Sequence, residues 1–156
     1  MNNKSNEVVI IEALRTPIGV YKGSLKNIKA HQLGSIVIKE ILKKNKINNY
    51  EIDEVIMGQV LTAGAGQNPA RQAAISAGIP ISKPAHIINQ VCGSGLRAVI
   101  SGYQSIKLGE AKTVISGGQE NMSSAPHSIF YRNEKKFSED KLIDTMLNDG
   151  LIDAFN

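Results

Sequence analysis

The sequence predicts an α/β protein of alternating strands and helices. Short runs rich in isoleucine and valine alternate with stretches whose apolar residues recur every three or four positions. Each change of period falls near glycine, proline or asparagine. In order, the segments read βαβαβαβ, which implies parallel strands joined by right-handed crossovers. A length of 156 residues, 42% hydrophobic and 21% charged, fits one soluble globular domain. With no tryptophan and 4% aromatics, the core must be aliphatic and rich in alanine and glycine.

Val8 to Leu14 is the first strand expected, apolar throughout and so buried, and Thr16-Pro17-Ile18-Gly19 is the turn that ends it. Residues 30 to 45 read as a helix with Leu33, Ile36, Val37, Ile41 and Leu42 on one face. Lys39, Lys43, Lys44 and Lys46 fall on its exposed side and last turn, where they complement the helix dipole; a lysine run could contact phosphate, but a solvated face is the preferred reading. His31, at the start of this helix, reads as a surface or capping residue. Glu54 to Leu61 is the second strand. A glycine-rich loop over residues 63 to 68 then leads into Asn68-Pro69, an N-cap and first-turn pair for a helix that stops near Gly78. The loop fits neither a Walker nor a dinucleotide fingerprint, so packing against a neighbour or a partner subunit is the better reading.

The third strand runs from Ala85 to Val91. The helix behind it carries Leu96, Val99, Ile100, Tyr103 and Ile106 at spacings of three and four, and Gly109 marks its end. Ala98, Ser101 and Gly102 on the same helix permit close packing in the middle of a layered structure. Lys112 to Gly118 is the fourth strand. From Asn121 the character changes, and residues 131 to 140 are polar and charged, so one boundary falls near residue 121.

The only cysteine, Cys92, stands at the turn between the third strand and its helix. The first N–H groups of a helix lack internal partners, and the peptide dipoles there favour negative charge, a thiolate included. That effect is worth ~0.3–1 kcal/mol, too little to make a thiolate dominant at neutral pH, so a nucleophilic Cys92 needs a base. A buried structural cysteine is the alternative, since free cysteine is often a core residue. Gly93 and Gly95 leave room for a substrate to approach the backbone.

One cysteine allows no internal disulfide and no metal cluster, which points to a reducing cytoplasm. The apolar run near the N-terminus is too short for a signal peptide, and no stretch reaches transmembrane length. A net charge of +4 suits an anionic ligand but is too weak and scattered to argue for nucleic acid.

Asn89-Gln90-Val91-Cys92-Gly93-Ser94-Gly95-Leu96-Arg97-Ala98 resembles the active-site signature of the thiolases, in particular the biosynthetic acetyl-CoA acetyltransferases. Further matches follow in the family's order. They are Glu12 to Gly19, Gly58-Gln59-Val60-Leu61, Gly66 to Ala74, Gly117 to Ser123, Ala125-Pro126-His127 and Asp149 to Phe155. Gln119 departs from the pattern, because many members carry methionine there. The resemblance begins near Val8, runs to the last residue and stops short of the family's midpoint.

It implies a thiolase-like layered fold of which this chain is an N-terminal, truncated βαβαβαβ half with a mixed sheet. Residues 1–120 would be the α/β domain carrying the nucleophile, and residues 121–156 the incomplete start of a loop domain. The implied reaction joins two acetyl-CoA reversibly into acetoacetyl-CoA and CoA, with Cys92 as acyl carrier and its backbone N–H as an oxyanion donor. Coenzyme A thioesters would be substrates, and no separate cofactor is implied. Leu151 matches a position that contacts the pantetheine end of CoA.

A histidine, a second cysteine and an asparagine complete the chemistry in the family's other half. None of the histidines here replaces that base. His86 opens the strand leading to Cys92, about 20 Å away at roughly 3.3 Å per residue, and His127 and Glu120 read as structural. The resemblance also implies a homodimer or tetramer, possibly completed by a separately encoded C-terminal half. A superfamily acyltransferase for longer acyl chains and a non-catalytic remnant or dimerisation module are the competing readings.

Overall fold

A computed structural model describes residues 7–131 and 141–155. Its centre is a three-stranded parallel sheet of β1 (Glu54–Gly58), β2 (Ala85–Ile88) and β3 (Val114–Gly118), in the order β2-β1-β3. Val55 lies opposite Ala85 on one side and Ile115 on the other. β1 is therefore the central strand, and its Val55, Ile56 and Met57 are all buried. A strand covered on both faces reads as an unbroken apolar run, as this one does.

One face of the sheet is covered by α1 (Ala30–Asn45) and α2 (Pro69–Ser76). Val55, Met57 and Ile115 point into that layer and meet Ile38, Leu42 and the alanines 70, 73, 74 and 77. The Asn68 carboxamide accepts the Arg71 N–H at 3.1 Å and Pro69 opens α2, as the sequence predicts. α3 (Ser94–Leu108) lies on the other face and ends at Gly109, in the left-handed conformation at φ 77°. It approaches the sheet through Ser94, Ala98 and Gly102. A Cβ at Gly102 would collide with the Ser116 hydroxyl of β3. Small residues thus set the helix–sheet distance, as expected from their place in the sequence.

Beyond β3, Asn121 ties the chain back: its side-chain amide donates to the carbonyls of Leu25, Lys26 and Ile28 at 3.1, 3.2 and 2.6 Å. β4 (His127–Ser128) pairs antiparallel with β5 (Ile143–Asp144), and the short α4 (Thr145–Gly150) follows. The charged stretch predicted as an excursion lies largely outside the described residues.

Four expectations need correction. Val8 to Leu14 is not a strand: Val9, Ile10 and Ile11 are exposed, and Glu12 ties the segment to Lys44 at 2.8 Å and Asn45 at 3.4 Å of α1. Apolar, β-branched composition makes a strand only where a ladder partner is available, and this segment pairs with neither free edge of the sheet. Nor, among the described residues, is the sheet mixed: its three strands are parallel, and antiparallel pairing is confined to β4 and β5. The strand before Cys92 ends at Ile88, three residues early, where a turn takes over. Finally, the apolar faces assigned to two helices are partly outward. In α1 the buried stripe is Gly34, Ser35, Ile38 and Leu42, which turns toward α2 and the core, while Ile36 is exposed. In α3 the stripe Leu96, Val99, Ile100 and Tyr103 faces away from the sheet.

Candidate active site

Cys92 is exposed and sits between the C-terminal end of β2 and the first residue of α3. Gly93 N–H closes a tight turn on the Gln90 carbonyl at 3.0 Å, placing Val91 and Cys92 at its centre. Val91 has φ 47°, a left-handed conformation that a β-branched residue avoids, at a cost of about 1–3 kcal/mol. Neighbouring side chains hold it there. Asn89 Oδ1 accepts the Val91 N–H at 3.0 Å. Buried Ser94 donates its hydroxyl to the Val91 carbonyl at 2.6 Å and accepts the Gln90 N–H at 2.9 Å. The thiol is thereby presented outward at the head of a 15-residue helix.

The sheet supports this turn by backbone contact. A Cβ on Gly58, the last residue of β1, would lie 2.5 Å from Gly95 N and also strike the Ser94 backbone. Gly118, which ends β3, would place its Cβ 3.3 Å from Gly95 Cα. Glycine at these three positions lets the head of α3 rest on the strand ends.

Beside it lies a buried polar layer. Gln119 donates to Gln59 Oε1 at 2.9 Å, and Gln59 donates to the Leu61 carbonyl at 2.8 Å. Glu120 Oε2 accepts the N–H groups of Val60 and Leu61 at 2.7 and 3.3 Å, which fixes the loop after β1. Its other oxygen is buried without a hydrogen-bond partner. Burial pushes the Glu120 carboxyl above the usual glutamate range, and the N–H bonds oppose that only in part. Folded protein then holds this proton more tightly than unfolded chain, so stability falls as pH rises from the ordinary glutamate pKa through the raised one. Glu120→Gln should remove that slope. In urea melts from pH 4 to 7, the variant should gain on the parent as pH rises, and a constant difference would contradict the assignment.

The other expected residues are dispersed. Leu151 caps α4 and is exposed. Gly150 beside it approaches Leu61, so α4 lies at the same end of the sheet as Cys92. His86 pairs with Glu54 at 3.2 Å, at the opposite end of β2. His127 lies in β4, opposite Asp144. His31 is on α1, across the sheet from α3, and burial followed by the charge of Lys29 holds its imidazole below the usual range. Among the described residues no group of His, Cys, Asp and Glu is placed to hold a metal ion. No helix among them is long and apolar enough to cross a membrane. Sequence reasoning missed the roles of Asn89 and Ser94, although both residue types commonly hydrogen-bond to turns.

Comparison with known proteins matches residues 8–156 to the thiolase N-terminal domain. The chain is 51% identical over 150 residues to an acetyl-CoA acetyltransferase of Paracoccus denitrificans, covering 96% of this chain and 38% of that protein. It is also 51% identical over 156 residues to the cytosolic acetyl-CoA acetyltransferase of Rattus norvegicus, covering all of this chain and 39% of the relative. The Acat5 thiolase from Ascaris suum, solved in complex with coenzyme A, superimposes with a TM-score of 0.85 at 40% identity over 90% of this chain and 37% of that one. These 156 residues thus span well under half the length of the relatives. The chain belongs to the thiolase family and carries its N-terminal domain.

Proposed function

We propose that the chain is the acyl-accepting portion of an acetyl-CoA acetyltransferase, with Cys92 as nucleophile. The observation that carries this reading is the exposed thiol on a clamped turn at the head of α3, within a chain half identical to proteins of that name. The Cys92 thiolate attacks the acetyl-CoA carbonyl carbon, and the bond to the coenzyme A sulfur breaks. Acetyl-Cys92 and free CoA result, the latter taking up a proton. The Cys92 N–H, at the positive end of α3, is the oxyanion donor. Condensation with a second acetyl-CoA then needs an α-proton removed, and Cys92 is the only cysteine in these 156 residues. Both the base that forms the Cys92 thiolate and the base that takes the α-proton therefore belong to a further half of the protein, joined or separately encoded.

In this reading Leu151 lies along the pantetheine arm of the substrate, and residues 121–156 begin the loop domain. The protein works in the cytoplasm as a homodimer or tetramer, and the free edge of β2 is the surface on which two copies meet. Incubation with acetyl-CoA at alkaline pH, where a thiolate forms without a general base, should place one acetyl group on Cys92 of the 156-residue chain, read by peptide mass spectrometry, and none on the Cys92→Ser variant. An unmodified Cys92, with acetyl groups only on lysines, would remove it as the acyl carrier. The unpartnered outer face of α3 favours a second reading, a non-catalytic module that only holds partners together. That reading predicts no Cys92 adduct.

A further inference from the structure

An open cleft of about 440 Å³ lies at the C-terminal end of α1. α1 enters β1 through the short turn at Asn49–Glu51, so its end lies at the N-terminal edge of the sheet, away from Cys92. Partly buried Ile47, with the edges of buried Leu42 and Ala77, gives the cleft a small apolar wall, and Lys39, Lys43 and Lys46 give it charge. All three lysines are exposed.

Two ordinary uses of these amines are already met by other groups. Lysines near a helix end often cap the last carbonyls. Here the N–H groups of Lys46 and Ile47 take the Lys43 and Leu42 carbonyls at 3.3 and 3.0 Å. Lysines also pair with carboxylates. The neighbouring Lys44 does so with Glu12, whereas among the described residues no carboxylate bridges Lys39, Lys43 or Lys46. Glu51 directs one oxygen to the Asn48 N–H at 3.1 Å. Glu40, on α1, is exposed. Three exposed lysines thus line one shallow, open cleft that has an apolar side.

We propose that this cleft binds a nucleoside polyphosphate, with the phosphates on Lys39, Lys43 and Lys46 and the base against Leu42, Ile47 and Ala77. The volume suits a small ligand, since such pockets commonly measure ~300–1,000 Å³. Three separated charges suit a chain of phosphates better than one carboxylate. The adenosine phosphate end of coenzyme A has the same chemistry, so both sources belong in the test. The site is independent of Cys92 acylation.

The probes are metal-free ATP, coenzyme A and inorganic tripolyphosphate, titrated into the 156-residue chain and followed by amide chemical shifts. ATP should shift Lys43, Lys46, Ile47 and Ala77, and salt should weaken its binding. The K39Q/K43Q/K46Q variant alters only exposed side chains and should bind ATP about tenfold or more weakly. Tripolyphosphate should bind more weakly than ATP. Shifts at the cleft with both ATP and coenzyme A would mean that either source is accepted, and shifts with ATP alone would assign the site to free nucleotides. Three results would overturn the proposal: no saturation by about 10 mM ATP, equal binding by the triple variant, or tripolyphosphate binding as tightly as ATP.

Discussion

Gly58→Ala should destabilise the fold by about 3 kcal/mol, the upper part of the range for overpacking a close-packed site. The expected loss is large because the added methyl meets backbone atoms, Gly95 N at 2.5 Å and the Ser94 backbone. A flexible side chain could rotate away, but the first turn of α3 cannot. It is tied down by the Ser94 bonds to Gln90 and Val91 and by the close approach of Gly95 to Gly118. Relief requires the head of α3 to lift, which moves Cys92. Urea denaturation should show a lower midpoint with unchanged slope. The rate of Cys92 alkylation in the remaining folded protein should change as well. Gly117→Ala, where the methyl meets nothing within 4 Å, is the control and should cost far less. Equal effects would show that backbone contact at Gly58 does not set the position of α3.

The second large effect is expected at the outer face of α3. Leu96 is 69% exposed and Tyr103 49%, with Val99 and Ile100 beside them. Burying an aliphatic side chain is worth about 1.5–3 kcal/mol, so covering this stripe supplies enough free energy to hold a second half in place. Under the proposed function, the 156 residues alone should show no acetoacetyl-CoA cleavage, and a supplied C-terminal thiolase half should restore it. Leu96→Glu should abolish that restoration while leaving the isolated chain folded, because the side chain makes little contact within it. The assay is thiolysis of acetoacetyl-CoA with and without the second half, alongside circular dichroism of the variant. Robust Cys92-dependent turnover by the chain alone would place the missing base within these residues.

Local chemistry made the helices legible. Asn68-Pro69 starts α2 and Gly109 stops α3 through backbone conformation and hydrogen bonding that depend on neighbours in sequence. The apolar run from Glu54 likewise announced a strand, though it ends at Gly58 and not at Leu61, and its burial on both faces came only from the layers around it. The position of Cys92 at a strand-to-helix turn followed from a change of period at one glycine-rich point.

Tertiary structure decided what depends on a partner. The sequence of Val8 to Leu14 has the composition of a buried strand, yet a strand exists only where another strand accepts its hydrogen bonds, and among the described residues none does. Periodicity found the apolar stripe of α3 but could not say which way it points. The small residues Ser94, Ala98 and Gly102 turn toward the sheet because close backbone approach requires them there, and the large residues are left outside. The clamp on Val91 was equally out of reach. A left-handed valine is unfavourable in itself, and only the placement of Asn89 and Ser94 around the turn holds it.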